Sequence, residues 1–379
     1  MKCEFYGRHA RTVRHGDLQV MRRIILRGLQ NKHCTGSLRA FAAIYNNSLP
    51  FFLIVDYKLP YFKKPERGFS MKKVIYHGIR DIRVEEVEEP QPGKGEVKIK
   101  IKYCGICGSD LHEYLHGLFP ESPFGHEACG EIVAVGPDVQ GYAPGERVCS
   151  VTAGSYTQYL NCPQERLLKI PADMDWRRAA VIEPLSGAAY ALERAGLRGD
   201  EKVLIAGCGT VGLMLLLGLK AMGVKIVYMT EVMEYRRKKA EELGATLVWN
   251  PLALKTAARI KELTAGSGVD VAIEAVGIEA TLKDCLSSVR RQGKVIVQGI
   301  FTERASVHML GFVTRETTMI GTNSINPALA LSWIQSGRTR PESLITGIIP
   351  LDKIAAEGFE VLAGKNKDAI KILVEPFPA

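Results

Sequence analysis

Apolar and polar residues alternate through 96–102, Glu-Val-Lys-Ile-Lys-Ile-Lys, the period of two expected of a strand with one wet face. Strands are also predicted over 72–76 and 81–87, the second closed by the turn Pro90-Gln91-Pro92-Gly93, and over 130–135 and 147–151. Residues 71 to about 160 therefore predict a small β-barrel or sandwich. Past Trp176 the period changes. A short buried strand over 202–206 is followed by a helix over 211–222, a strand over 225–229, a helix over 234–243 stopped by Gly244, and a strand over 269–274. Strands over 294–299 and 318–322 continue the set, and this alternation predicts a doubly wound parallel sheet. A helix over 328–335 and an apolar run over 370–374 close the chain, the latter returning to the first domain. Upstream of Met71 there is no alternating strand and no long amphipathic helix, and the apolar patch over 49–55 is interrupted by Pro50.

The longest apolar runs, 49–55 and 211–219, fall short of the roughly 20 residues that cross a bilayer, so no membrane partner is expected. The 379 residues suit two large domains or three small ones. The formal charge of +9 suggests nucleic acid until it is located. Residues 1–70 hold 13 Lys and Arg against 4 Asp and Glu, and the rest of the chain holds 37 of each. A neutral body has no general electrostatic pull towards phosphate backbones, so no nucleic-acid partner is expected. The basic leader has no uninterrupted apolar core for a secretory signal, and it is too long and too little amphipathic for a transit peptide. The expectation is that Met71 is the true start, with 1–70 outside the fold and the protein cytoplasmic. Nine scattered cysteines fit reduced thiols, some of them metal ligands, better than a disulfide framework.

Two constellations carry chemistry. The strand over 202–206 runs into Gly207-Cys208-Gly209-Thr210-Val211-Gly212 and straight on into a helix, and Glu231 closes the next strand. Gly207 permits the tight turn, Gly209 lets backbone approach a pyrophosphate, and Gly212 allows helix to pack on strand, with the phosphates meeting the helix start at Thr210 and Val211. A carboxylate at Glu231 accepts from ribose hydroxyls and repels a 2′-phosphate, favouring NAD over NADP. Arg236 and Arg237 pull the other way as phosphate partners, although Arg236 can equally stack on adenine. The second constellation is Cys107-Gly108-Ser109-Asp110-Leu111-His112, followed by Gly125-His126-Glu127. Thiolate, imidazole and carboxylate suit zinc, and three protein ligands leave a position open, as at a catalytic rather than a structural site. Cys104 with Cys107 also has redox-pair spacing, but without the strand and helix context of thioredoxins.

Cys-Gly-Ile-Cys-Gly-Ser-Asp-Leu-His, Gly-His-Glu, Ile182-Glu183-Pro184-Leu185 and the dinucleotide fingerprint together resemble the zinc-dependent medium-chain alcohol dehydrogenase family, over residues 71–379. The endings Glu357-Gly-Phe-Glu and Ile370-Lys-Ile-Leu-Val-Glu-Pro are most similar to its 2,3-butanediol, sorbitol and threonine dehydrogenase branch. The resemblance implies a GroES-like catalytic domain over 71–185, a Rossmann domain over 186–324 and a C-terminal segment, 325–379, returning to the catalytic domain. It implies one catalytic zinc on Cys107, His126 and Glu127, with Glu183 a neighbouring or exchangeable ligand. Ser109 and His112 would form a proton relay, and Asp110 would orient His126. The implied reaction transfers hydride between a secondary alcohol, diol or polyol and NAD, in a homodimer or homotetramer. The four-cysteine structural zinc lobe that this branch carries after Cys149 is missing here. A zinc-free quinone or enone reductase is the alternative enzyme, and a nucleic-acid-binding protein acting through the leader is the alternative of another class.

Overall fold

In the computed structural model the described residues are 37–46, 49–58, 70–118, 123–364 and 368–378. The chain divides into two units, Met1–Arg67 and Gly68–Ala379. In the first, β1 (Ser37–Asn46) pairs antiparallel with β2 (Leu49–Lys58), where the sequence reading finds no strand. Pro50 is the reason for the difference. It lies one residue inside β2, and proline, which donates no ladder hydrogen bond, is tolerated near a strand start. The expectation that 1–70 lies outside the fold rests otherwise on residues outside the described set.

The second unit contains two large sheets. A hairpin of β3 (Ser70–Gly78) and β4 (Asp81–Glu88) precedes β5 (Glu96–Gly105), the longest strand of the first sheet. After β5 come α1 (Gly108–His116), β6 (Glu127–Val135), β7 (Arg147–Ser150), β8 (Tyr159–Pro163) and β9 (Leu167–Lys169). β5 pairs antiparallel with β6 and β8, β6 with β7, and β7 with β9. The inward side chains Val97, Ile99 and Ile101 are at most 1% exposed, as the alternation requires.

α2 (Ile182–Ala195) leads into the second sheet. Its strands are β10 (Lys202–Ala206), β11 (Ile226–Thr230), β12 (Leu247–Trp249), β13 (Val269–Glu274), β14 (Val289–Val297) and β15 (Thr318–Gly321). All pairs are parallel, in the order β12-β11-β10-β13-β14-β15. Reading β10 as the first strand gives 3-2-1-4-5-6, the doubly wound dinucleotide-binding order. α3 (Thr210–Ala221), α4 (Glu234–Glu242), α5 (Thr256–Leu263) and α6 (Glu279–Ser288) connect these strands. α3 is buried nearly all round, consistent with its unbroken apolar sequence and its packing on α2 and α7 (Pro327–Gln335). The chain ends with β16 (Ile345–Pro350) and β17 (Lys371–Glu375), a parallel pair. β17 pairs antiparallel with the C-terminal end of β5, beyond the residues that β8 takes, with Leu373 opposite Gly105. Among the described residues no helix is long and apolar enough to cross a membrane.

Candidate active site

Strand register assembles the first constellation. Gly105, the last residue of β5, is the partner of Glu127, the first of β6. Cys107 lies two residues beyond Gly105 and His126 one residue before Glu127, so the pairing carries all three to the same sheet end. Their ligand atoms lie within 4.8 Å of one another, the only such metal-ready group among the described residues. Cys107 also caps the start of α1. Cys104 is fully buried inside β5 and takes no part.

Asp110 ties the two segments together. Its carboxylate accepts from the Cys107 N–H at 3.3 Å and the Gly125 N–H at 3.1 Å, and Oδ1 lies 3.7 Å from His126 Nδ1. Tyr156, which sequence reasoning missed, donates its hydroxyl to Asp110 Oδ2 at 2.7 Å. Burial works against a charge on His126, yet the hydrogen bond and charge of Cys107, then Asp110 and Glu183, hold its pKa up at about 11. The surroundings thus favour added positive charge, and a soft-to-borderline donor set with a surplus of anions fits a divalent zinc ion.

Glu127 has a second claimant. Lys371, the first residue of β17, places Nζ 2.8 and 2.5 Å from the two Glu127 oxygens and donates to the Ile106 carbonyl at 2.9 Å; both side chains are 1% exposed. Gly105 makes room, since a Cβ there would strike the Glu127 carboxylate. The sequence signal for Lys371 was a single charge inside the apolar run Ile-Lys-Ile-Leu-Val. Glu183, second residue of α2, is not one of the three clustered donors, but it interacts with His126, Glu127, Lys371 and Asp110. Burial first, then the Glu127 charge, pushes its pKa up to about 7.

Ser109 and His112 lie three residues apart in α1, neighbours on the helix surface. His112 Nδ1 is buried without a hydrogen-bond partner among the described residues, and its ring centroid is 6.1 Å from that of His116. Burial, then His116, lowers the His112 pKa, which favours the neutral ring.

The second constellation forms the turn between β10 and α3. Gly207 has φ +103°, and a Cβ there would lie 2.6 Å from Val276. A Cβ on Gly212 would run into the Gly207 carbonyl, so the third glycine serves helix packing. On Gly209 a Cβ would meet nothing nearer than Arg236 Nη1 at 3.8 Å, which leaves an open side for backbone to meet a ligand. The first-turn N–H groups of Thr210, Val211 and Gly212 point out of the helix start, as a pyrophosphate requires. The Thr210 hydroxyl is engaged elsewhere, donating to the Ile370 carbonyl at 2.6 Å. Glu231 stands just past β11 and is 8% exposed; its oxygens accept from the Cys208 and Met233 N–H groups at 2.9 and 3.0 Å. A carboxylate so held still has lone pairs for ribose hydroxyls. Arg237 donates to the Glu231 and Val232 carbonyls, whereas Arg236 keeps a buried Nε without a partner among the described residues. Exposed Val232, Val276 and Ile278 follow the strand ends on either side of β10, apolar surface in the crevice where this fold binds dinucleotides. No motif announced these three.

Residues 93–172 match the family described as the alcohol dehydrogenase GroES-like domain, and 210–335 that described as zinc-binding dehydrogenase. (R,R)-Butanediol dehydrogenase of Bacillus subtilis is 35% identical over 348 residues, 81% of this chain and 100% of that protein. The crystal structure of 2R,3R-butanediol dehydrogenase from Bacillus subtilis matches with a TM-score of 0.76 at 34% identity, over 81% of this chain and 100% of that one. Sorbitol dehydrogenase of the same species is 30% identical, over 81% of this chain and 98% of its own. Two further solved structures, each over 81% of this chain and 100% of their own, carry nicotinamide cofactors. One from Escherichia coli, at 25% identity and TM-score 0.76, holds NADH, and one from Sinorhizobium meliloti, at 27% and 0.73, holds NADP.

Proposed function

The chain belongs to the zinc-type medium-chain alcohol dehydrogenase family, a dehydrogenase using zinc and NAD(P), and from that membership we propose that it interconverts a secondary alcohol, vicinal diol or polyol with its ketone. The observation that carries this reading is the convergence of Cys107, His126 and Glu127 at the junction of β5 and β6. The metal, when bound, supplies a Lewis acid that lowers the substrate hydroxyl pKa, and the nicotinamide accepts the hydride. Cys107 and His126 would hold the metal, with Glu127 or Glu183 completing its ligands. Asp110 fixes the imidazole edge. Ser109 takes the hydroxyl proton, and His112 passes it to solvent.

Glu231 favours NAD, because a 2′-phosphate would bring more negative charge to a nearly buried carboxylate. We assign the chain to a reducing compartment, the cytoplasm, in keeping with free thiols at all seven cysteines among the described residues. We also propose a homo-oligomer, from the bare edge of β15.

The test is elemental analysis and turnover of the chain from Met71 onward. Close to a single zinc ion per chain is expected, with diol or polyol oxidation faster with NAD than with NADP. Cys107→Ser is expected to lose zinc and turnover while still binding NAD. Zinc near zero, even when supplied during expression, refutes the reading in favour of the zinc-free reductases.

A further inference from the structure

Tyr156 bonds through its hydroxyl to none of the three donor atoms among the described residues, yet it reaches both metal-binding segments. It sits between β7 and β8 and is 1% exposed. Its hydroxyl donates to Asp110 Oδ2 at 2.7 Å and lies 3.2 Å from the Gly105 carbonyl, at the end of β5. Its ring occupies the place a side chain at Gly125 would need, since a Cβ there would lie 2.9 Å from ring carbons. Gly125, at φ +81°, immediately precedes His126. The ring is itself fixed edge-on against buried Phe359, at 6.1 Å and 87°.

We propose that Tyr156 is a positioning residue of the metal centre, its hydroxyl holding Asp110 so that one carboxylate sets both the Cys107 backbone and the His126 ring. The chemistry is that of charge-assisted bonds. The Tyr156 O–H and the Cys107 N–H converge on Oδ2, and the Gly125 N–H meets Oδ1, which leaves Oδ1 turned to His126 Nδ1. Without the hydroxyl, Oδ2 keeps only the 3.3 Å bond from Cys107 and Oδ1 the 3.1 Å bond from Gly125, so the carboxylate is held less firmly about its Cβ bond. Outer partners of metal ligands, as Asp110 is of His126, typically govern metal affinity by about 10- to 100-fold, and Tyr156 acts through that group. This role rests on the zinc reading above, and it adds a residue that no motif contains.

The experiment is zinc affinity by chelator competition for wild type, Tyr156→Phe, Asp110→Asn and the double variant. The visible spectra of the cobalt-substituted proteins are recorded alongside. Tyr156→Phe keeps the ring and is expected to weaken zinc by about 10- to 100-fold and to shift the cobalt bands. In the Asp110→Asn background the same change is expected to add less than about threefold, because the two act in series. Tyr142→Phe, which removes the hydroxyl donated to the Leu167 carbonyl in the same sheet, is expected to leave affinity and spectrum unchanged. A zinc affinity for Tyr156→Phe within about twofold of wild type, with unshifted cobalt bands, overturns the proposal. So does an effect undiminished in the Asp110→Asn background. Should Tyr156→Phe not fold, Asp110→Asn alone decides, since unaltered zinc affinity there removes the group through which Tyr156 acts. Failure of the wild type to bind zinc overturns the metal centre and this role together, whereas failure of the variants to differ overturns this role alone.

Discussion

Burying a charged group is costly unless it is paired, and Glu127, 1% exposed, has the Lys371 ammonium on both oxygens. Zinc would compete for the same oxygens. Removing one partner of a buried pair costs about 3–5 kcal/mol, because the other is left uncompensated. Lys371→Met is therefore expected to destabilise the metal-free protein by that order in urea. If Glu127 is the third ligand, zinc takes over the vacated role and raises the melting temperature of the variant more than that of wild type. Equal increments in the two proteins would assign the third position to Glu183. The grouping of Cys107, His126 and Glu127 was legible because thiolate, imidazole and carboxylate are residue types that suit a metal ion. Lys371 and Tyr156 were not, because each acts through a pairing between segments far apart in sequence, β17 with the end of β5 and the 151–158 segment with α1.

Within elements, the dinucleotide turn separates two duties of glycine that the motif leaves merged. A Cβ on Gly212 meets the backbone carbonyl of Gly207, which has nowhere to go, so Gly212→Ala is expected to destabilise by roughly 1–3 kcal/mol and to weaken NAD. Gly209→Ala points into open space and is expected to leave the melting temperature nearly unchanged while still weakening NAD. Calorimetry on both, with and without NAD, checks the contrast. Asp270 in β13 tests the sheet itself. It accepts from the Lys202 N–H at the start of β10 at 2.9 Å and from Arg290 Nε in β14 at 2.7 Å. Burial opposes its charge, but these partners outweigh burial and hold its pKa below the usual value. A depressed carboxyl contributes stability above its unfolded pKa, near 4, and loses it as pH falls through the folded value. The melting-temperature gap between wild type and Asp270→Asn is thus expected to be widest near neutrality and to close in acid. The strands over 202–206 and 269–274 were legible to the residue, being short apolar runs bounded by turns. β14 begins at Val289, five residues earlier than 294, because Arg290-Arg291-Gln292 reads as a polar loop although the strand carries it out to solvent. The leader hairpin was missed for a similar reason, Pro50 being weighed as a break when it stands near a strand start.

At the scale of the molecule, the alternation of strands and helices predicts the parallel sheet, but it is silent about how the sheet ends. Among the described residues β15 pairs with β14 on one side only, and three of its four residues are exposed, Met319 among them. Met309, Leu310 and Val313 in the preceding short helix are each more than half exposed. A bare edge beside a cluster of large apolar side chains is a liability in an isolated chain, and proteins relieve it by covering the edge. A second copy related by a two-fold axis does so most simply, because an antiparallel strand edge is complementary to itself. Pairing β15 with its counterpart would run the six-stranded sheets together and bury both apolar clusters. Leu310→Glu with Val313→Lys is expected to convert the assembly to monomers by light scattering, with zinc content and NAD affinity retained, since neither residue lies near the metal ligands or the Gly207 turn in sequence or register. A wild-type chain already monomeric at micromolar concentration would refute this use of the edge, and an oligomer that survives both changes would place the interface elsewhere.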